Sequence, residues 1–208
     1  MSGHDGLSPE KERQILDGAA AVFAEAGYEG ASMSRIAAVA GVSKGTLYNY
    51  FAGKRELFAA FMQRACASRI ALIFDAVSDD ATAEETLTRI CTHMMEMMVS
   101  EEGLLIYRMA VAEAGKFPEL AEVFYAAGPQ RALARMTDLI SRHAAAGLLH
   151  VDDAEFAAEQ LFALVQTRVL LRRRLRLIDG VPDLEIRRVV TAGVHLFLRG
   201  YGAPAAPP

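Results

Sequence analysis

The chain has 208 residues, 52% of them apolar, and a net charge of −4, enough apolar material for one large domain or a small module joined to a larger one. The acidic balance argues against a general polyanion binder, while leaving room for a local basic patch. Two cysteines, Cys66 and Cys91, with no CxxC or Cys/His cluster, speak against a disulfide framework and a structural zinc, so no metal or cofactor is expected.

The opening MSGHDGLSPEKER lacks an apolar leader, which predicts a cytoplasmic location. Charges interrupt the apolar stretches before about 18–20 residues, so no membrane span is expected. Ser8 followed by Pro9 reads as a helix cap with proline at the first helical position. Ile15, Ala19, Val22, Phe23 and Ala26 then repeat at the spacing of one helix face, and Gly27 is placed to end it. A short helix is predicted over 33–40, capped by Ser32 and stopped by Gly41. A third follows the cap Ser43 to about Tyr50, and a fourth begins near Gly53 or Lys54. Longer helices are predicted at about 82–99, 102–114, 118–145 (broken at Gly128-Pro129), 152–177 and 182–199. No stretch alternates like a strand. The expected fold is all-α with about nine helices, a helix-turn-helix module over 1–53, a larger helical domain over 54–201, and a disordered tail over 202–208.

Between Ser32 and Phe58 two short capped helices flank Ala40-Gly41-Val42-Ser43, a tight glycine-containing turn. At about 100° per residue, Leu47 and Phe51 mark the buried side of the second helix. Gly45, Thr46 and Asn49 fall opposite, with Tyr48 and Tyr50 on the flanks. Lys44 occupies the first turn, where free N–H groups and the helix dipole suit phosphate. No acid occurs between Glu29 and Glu56, whereas Arg35, Lys44, Lys54 and Arg55 all lie in that gap, the footprint of a groove binder. Capped helix pairs also pack in proteins without DNA, so these features alone leave both readings open.

The segment VSKGTLYNYFAGKRELF, Val42 to Phe58, resembles the recognition-helix signature of the TetR/AcrR repressor family, and the lead-in from Ile15 is similar to that family as well. Where members often carry proline and serine, this chain has Ala52-Gly53, a weaker cap. The resemblance implies phosphate contacts at Ser32, Ser43, Tyr48, Tyr50 and Lys54. It implies base reading at Lys44, Gly45 and Thr46, with Arg35 as a helper. The run Phe117 to Pro129, with VDDAEFAAEQLF further on, resembles the AefR-like subgroup, whose C-terminal domain senses a ligand and dimerises. A double-stranded DNA operator, a homodimer and a small apolar effector are therefore the expected partners.

The stretch 154–171 is apolar on every face, so it needs cover on more than one side, by its own core or by a partner. Phe156, Leu164 and Val169, with Ile186, Val190, Gly193 and Phe197 on the last helix, are the candidate dimer residues. A two-fold pair would set two recognition helices about 34–36 Å apart. Met94, Met97 and Met98 could line an adaptable apolar pocket or simply fill core, and Phe61, Tyr107 and Phe124 are further candidate walls. A soft-metal role for Cys91, His93 and the neighbouring methionines is a remote alternative, Cys66 reads as core, and the arginines at 172–174 and 176 read as solvated surface. Two rivals are an all-helical enzyme, for which no nucleophile–base–acid set or phosphate loop is legible, and a helical adaptor protein.

Overall fold

The computed structural model describes residues 8–75 and 81–202, so residues 203–208 of the tail expected at 202–208 lie outside the described residues. Gly202, at the start of that expected tail, is placed: it forms an isolated antiparallel bridge with Leu149. Among the described residues all elements are helices: α1 (Pro9–Gly30), α2 (Met33–Val39), α3 (Lys44–Tyr50), α4 (Lys54–Asp75), α5 (Ala83–Val99) and α6 (Glu101–Glu113). They continue as α7 (Pro118–Ala127), α8 (Pro129–Ala145), α9 (Ala154–Val165), α10 (Leu170–Arg174) and α11 (Asp183–Tyr201). The chain gathers into two compact units, one of residues 8–67 and 105–127 and one of residues 68–104 and 128–202.

In the first unit, Ser8 caps α1 by accepting from the Lys11 N–H at 3.4 Å, as the Ser-Pro pair predicts. Gly27 adopts φ +68°, a conformation that costs glycine little, and breaks α1 before one more turn. Leu57, Phe58, Phe61, Met62 and Cys66 from α4 pack with Ile15, Phe23 and Leu47. Phe23 sits at the centre, its ring 5.2 Å from Phe58 in an edge-to-face arrangement and 5.8 Å from Phe61.

The second unit packs α5, α8, α9 and α11 around Cys91, Met95, Leu161, Val165, Val190 and Val194. Thr82 and Glu85 close a reciprocal capping box at the start of α5. Pro129 starts α8 at the position where a missing N–H is harmless, which is why the expected 118–145 helix divides there.

The single helix expected at 152–177 is corrected. It stops at Val165, where the Thr167 hydroxyl donates to the Leu164 carbonyl at 2.9 Å and Arg168 turns left-handed at φ +71° to pair with Glu185 at 2.6 Å. Neither glycine nor proline marks this stop, so periodicity runs through it. The arginines expected as solvated surface also differ among themselves. Arg173 is buried, donates to the Val99 carbonyl at 3.2 Å and pairs with Glu101.

Contrary to the expectation from charge spacing, the 21 residues Lys54–Phe74 are long and apolar enough to cross a membrane. Their setting is that of a core helix. Its apolar side chains pack inside the units, while Arg64 pairs with Asp17 and Arg69 with Glu102, ionised groups that lipid would penalise by several kcal/mol.

Candidate nucleic-acid interface

The geometry of α2 and α3 starts from their caps. Ser32 accepts from the Arg35 N–H at 3.2 Å, and Ser43 accepts from the Thr46 N–H at 3.0 Å while its hydroxyl lies 2.8 Å from the Thr46 hydroxyl. Gly41, at φ +66°, stops α2, and the Val42 N–H closes back on the Ala37 carbonyl at 3.0 Å. Ile36, Ala37, Leu47 and Phe51 are buried beneath. A second fastening was not legible: the Gln14 side chain of α1 donates to the Ala40 carbonyl at 2.7 Å, holding the turn from outside the motif.

With Leu47 facing inward, α3 presents Lys44, Gly45, Tyr48 and Asn49 to solvent and leaves Thr46 half-buried. Tyr48 is 52% exposed, and neither its hydroxyl nor the Lys44 ammonium meets a hydrogen-bond partner among the described residues. Gly45 keeps the helix surface low there, with only the Ser43 hydroxyl oxygen, at 3.7 Å, near the point a Cβ would occupy. Ordinary groove readers combine these features: a helix start with free N–H groups, a cation and exposed polar tips.

Beyond the caps, three of the sequence-derived contact residues are tied to α1 or its flanks. The Tyr50 hydroxyl accepts from the Ser8 N–H at 2.7 Å and lies 3.3 Å from the Ser8 carbonyl, tying the end of α3 to the start of α1. The Lys54 ammonium donates to the carbonyls of Tyr28, Glu29 and Ala31 at 2.8, 3.2 and 3.0 Å and sits 4.5 Å over the Tyr28 ring. All its protons are thus engaged at the end of α1, where a cation also suits the dipole. Arg35 pairs with Glu25 at 2.6 Å. Of the four cations in the acid-free gap, Lys44 and Arg55 are the ones exposed without an ion pair among the described residues.

Lys54→Met is expected to cost about 2 kcal/mol of stability through the lost carbonyl bonds and ring contact. The salt dependence of any DNA binding should stay unchanged; a slope shallower by about 2 per dimer would return this residue to the phosphate-contact set.

The last turn of α1 is also gripped from the end of α6 and the segment after it. Buried Glu113 accepts from the Glu29 N–H at 3.4 Å, and Lys116 bonds the Glu29 carboxylate at 2.6 Å, which holds that carboxyl below its usual range. At the start of α4, the weak cap at Gly53 is reinforced by Glu56, whose carboxylate accepts from the Ala52 N–H at 2.7 Å. This reach-back satisfies a backbone N–H ahead of the helix, not the first-turn N–H that a serine cap would accept.

The candidate pocket residues divide between the units. Phe61 is buried and Phe124 half-buried against the first core, Tyr107 is half-buried on α6, and Met94, Met97 and Met98 pack in or against the second core. Cys91 is fully buried, and burial pushes its thiol up to about 12. The Cys91 thiol should therefore resist alkylation at pH 8 until the protein unfolds, which mass spectrometry after iodoacetamide treatment would show. Among the described residues no group of three or more His, Cys, Asp or Glu is placed to hold a metal ion.

The candidate dimer residues separate more sharply. Val169, Ile186, Val190, Gly193 and Phe197 are buried in the subunit's own core. Phe156 is exposed and Leu164 partly so. The stripe that periodicity picks out on α11 is its inward face.

Comparison with known proteins supplies a frame for this geometry. Residues 15–61 match the family described as "Bacterial regulatory proteins, tetR family", and residues 85–203 match "AefR-like transcriptional repressor, C-terminal domain". A "Fatty acid metabolism regulator protein" of Bacillus subtilis is 31% identical over 96 residues, covering 46% of this chain and 50% of that protein. The "HTH-type transcriptional repressor AcnR" of Corynebacterium efficiens is 40% identical over 85 residues, 40% of this chain and 43% of that one. The chain thus spans about half or less of the length of these curated relatives. Two solved structures superpose at TM-score 0.84 over 96% of this chain and all of theirs: a TetR-family regulator from Mesorhizobium loti at 28% identity, and "Flavonoid-responsive Regulator FrrA" at 31%.

Proposed function

Because this chain belongs to the TetR family of bacterial transcriptional regulators, with an AefR-like C-terminal domain, we propose that it is a cytoplasmic, ligand-responsive repressor that grips a near-palindromic operator as a dimer. The observation that carries this reading is the free face of α3: Lys44, Gly45 and Tyr48 stand outward on a helix whose Leu47 is fully buried. Lys44, Gly45 and Thr46 read base edges; Ser32, Ser43 and Tyr48 meet phosphates through their hydroxyls, and Arg55 adds charge. In this reading Tyr50, Lys54 and Arg35 position the helices, since their polar groups are held inside the protein. Residues 1–53 form the reading head, and 54–201 sense and dimerise.

The effector is a small, mostly apolar molecule; the candidate walls are Met94, Met97 and Met98 in the second unit, or Phe61, Tyr107 and Phe124 in the first. Relatives named for fatty acid metabolism and for flavonoid response support that class. Binding favours a state in which the two copies of α3 no longer match successive grooves. The shift can be no larger than the effector's differential affinity, typically about 1–3 kcal/mol. Because Lys54 of α4 clasps the end of α1, a displacement of α4 would be felt at α2 and α3.

Fluorescence anisotropy against fragments of the gene's own upstream region tests the reading. Saturable, sequence-selective binding that long-chain acyl or flavonoid compounds release is expected. Binding no tighter than to random DNA at about 0.15 M salt would leave the adaptor alternative standing.

A further inference from the structure

In the second unit the start of α5 and the middle of α11 enclose a polar cavity of about 800 Å³ that opens to solvent. Thr82, Glu84, Glu85, Thr88 and Arg89 line it from one side and Thr191 from the other. No aromatic or branched aliphatic side chain lies in that wall, so it differs in chemistry from the apolar walls considered for the effector. Positions 84, 85, 88 and 89 share one helix face, and a long side chain at 89 leans toward the start of α5, beside Glu85.

The charges in this wall are unequally satisfied. Glu85 takes the Thr82 N–H and hydroxyl on one carboxylate oxygen, each at 2.9 Å, which holds its carboxyl below the usual range. Glu84 meets the His195 ring at 2.7 Å, also through one oxygen. The second oxygen of each acid has no hydrogen-bond partner among the described residues. Arg89 is in a different position: its Nε and Nη2 are closed off from solvent and meet no hydrogen-bond acceptor. These two nitrogens form one edge of the guanidinium. Their N–H bonds run parallel, the geometry that meets both oxygens of a carboxylate. A buried cationic edge without an acceptor is costly, and neither acid of the wall relieves it.

We infer that this cavity is a second ligand site, for a monocarboxylate that carries a hydroxyl or ammonium group beside its carboxylate. The flexible stem of Arg89 turns the Nε/Nη2 edge into the cavity, where the carboxylate takes both N–H bonds. The neighbouring donor of the ligand goes to the free oxygen of Glu84 or Glu85. Two acids in the same wall repel a second negative charge, which disfavours dicarboxylates and phosphates. The open side leaves room for a further substituent. None of these residues belongs to the DNA face or to the candidate effector walls, so the inference stands apart from both readings.

Ligand-observed NMR titrations of the full-length protein test it with L-lactate, L-alanine, propionate, which lacks the donor, and malonate, which adds a charge. Lactate or alanine is expected to bind with a Kd of about 1 mM or tighter, and whichever binds tells hydroxyl from ammonium. Propionate and malonate should bind at least about fivefold more weakly. Arg89→Lys keeps the charge but not the paired N–H edge and should weaken binding roughly tenfold. Thr191→Trp, at an exposed position of α11, should fill the cavity and abolish binding. Without ligand, Arg89→Met should melt at or above the wild-type temperature, because it keeps the apolar stem and removes the unpaired edge. A fall of more than about 4 °C would mark Arg89 as a structural strut and overturn the site, as would binding that survives Thr191→Trp. No binding of any probe at about 20 mM, or equal binding of all of them, would overturn it too.

Discussion

Lys44→Glu is expected to lower operator affinity by roughly a thousandfold at about 0.15 M salt while leaving the fold intact. Lys44 opens α3, is exposed, and has no hydrogen-bond partner among the described residues. Its loss removes a cationic base-edge contact, and the new carboxylate repels the flanking phosphates, about 2 kcal/mol for each subunit on the usual scale of such contacts. A dimer presents the residue twice, so about 4 kcal/mol, or close to three decades, is at stake. The slope of log affinity against log salt should also flatten by about 2. Stability should hold or rise slightly, because an acid in the first turn of a helix favours the dipole. An anisotropy titration that finds less than a threefold change would remove α3 from the groove and undo the proposed reading.

Gly18→Ala is expected to cost about 3 kcal/mol, toward the upper end for overpacking a filled core, and to lower the melting temperature by roughly 6–12 °C. Gly18 is where α1 passes α2 closely. A Cβ built there would lie 2.7 Å from the Ala40 Cβ and 2.8 Å from its Cα and N. Two of those atoms are backbone, so relief requires α2 to move, and with it the turn that leads to Ser43 and α3. DNA affinity should therefore fall even well below the melting temperature. Gly200→Ala is the contrast. Nothing lies within 4 Å of that site, and the alanine should add about 0.5–1 kcal/mol by helix propensity. Calorimetry of the two variants checks both signs; equal melting points would mean that the α1–α2 approach is slack.

Much of the α1–α3 module was legible because its determinants are local. The caps at Ser8, Ser32 and Ser43 act on N–H groups three residues on, and the stops at Gly27 and Gly41 need only a permissive backbone. The outward face of α3 follows from the position of Leu47 on a helix of known pitch. The resemblance carried by Val42 to Phe58 then tied that helix to a family, which the matches at 15–61 and 85–203 show.

Other residues took roles that no neighbour within one helical turn could dictate. Tyr50 meets Ser8 across 42 positions, and Lys54 meets Tyr28 across 26. Side-chain type alone says that a tyrosine or lysine can donate, not whether a phosphate or a carbonyl of its own chain will be nearer. The apolar stripe of α11 shows the same limit: periodicity identified Ile186, Val190 and Phe197 as one face, but burial in the subunit's own core rather than against a partner depends on where α9 and α5 come to lie. The end of α9 likewise waits on Glu185, seventeen positions on from Arg168. Helical order, caps and the reading face were thus determined by the sequence itself, because they arise from interactions spanning one turn. Which polar groups remain free for DNA, and which apolar faces remain free for a partner, only the tertiary structure decided, because each depends on a surface assembled from distant segments.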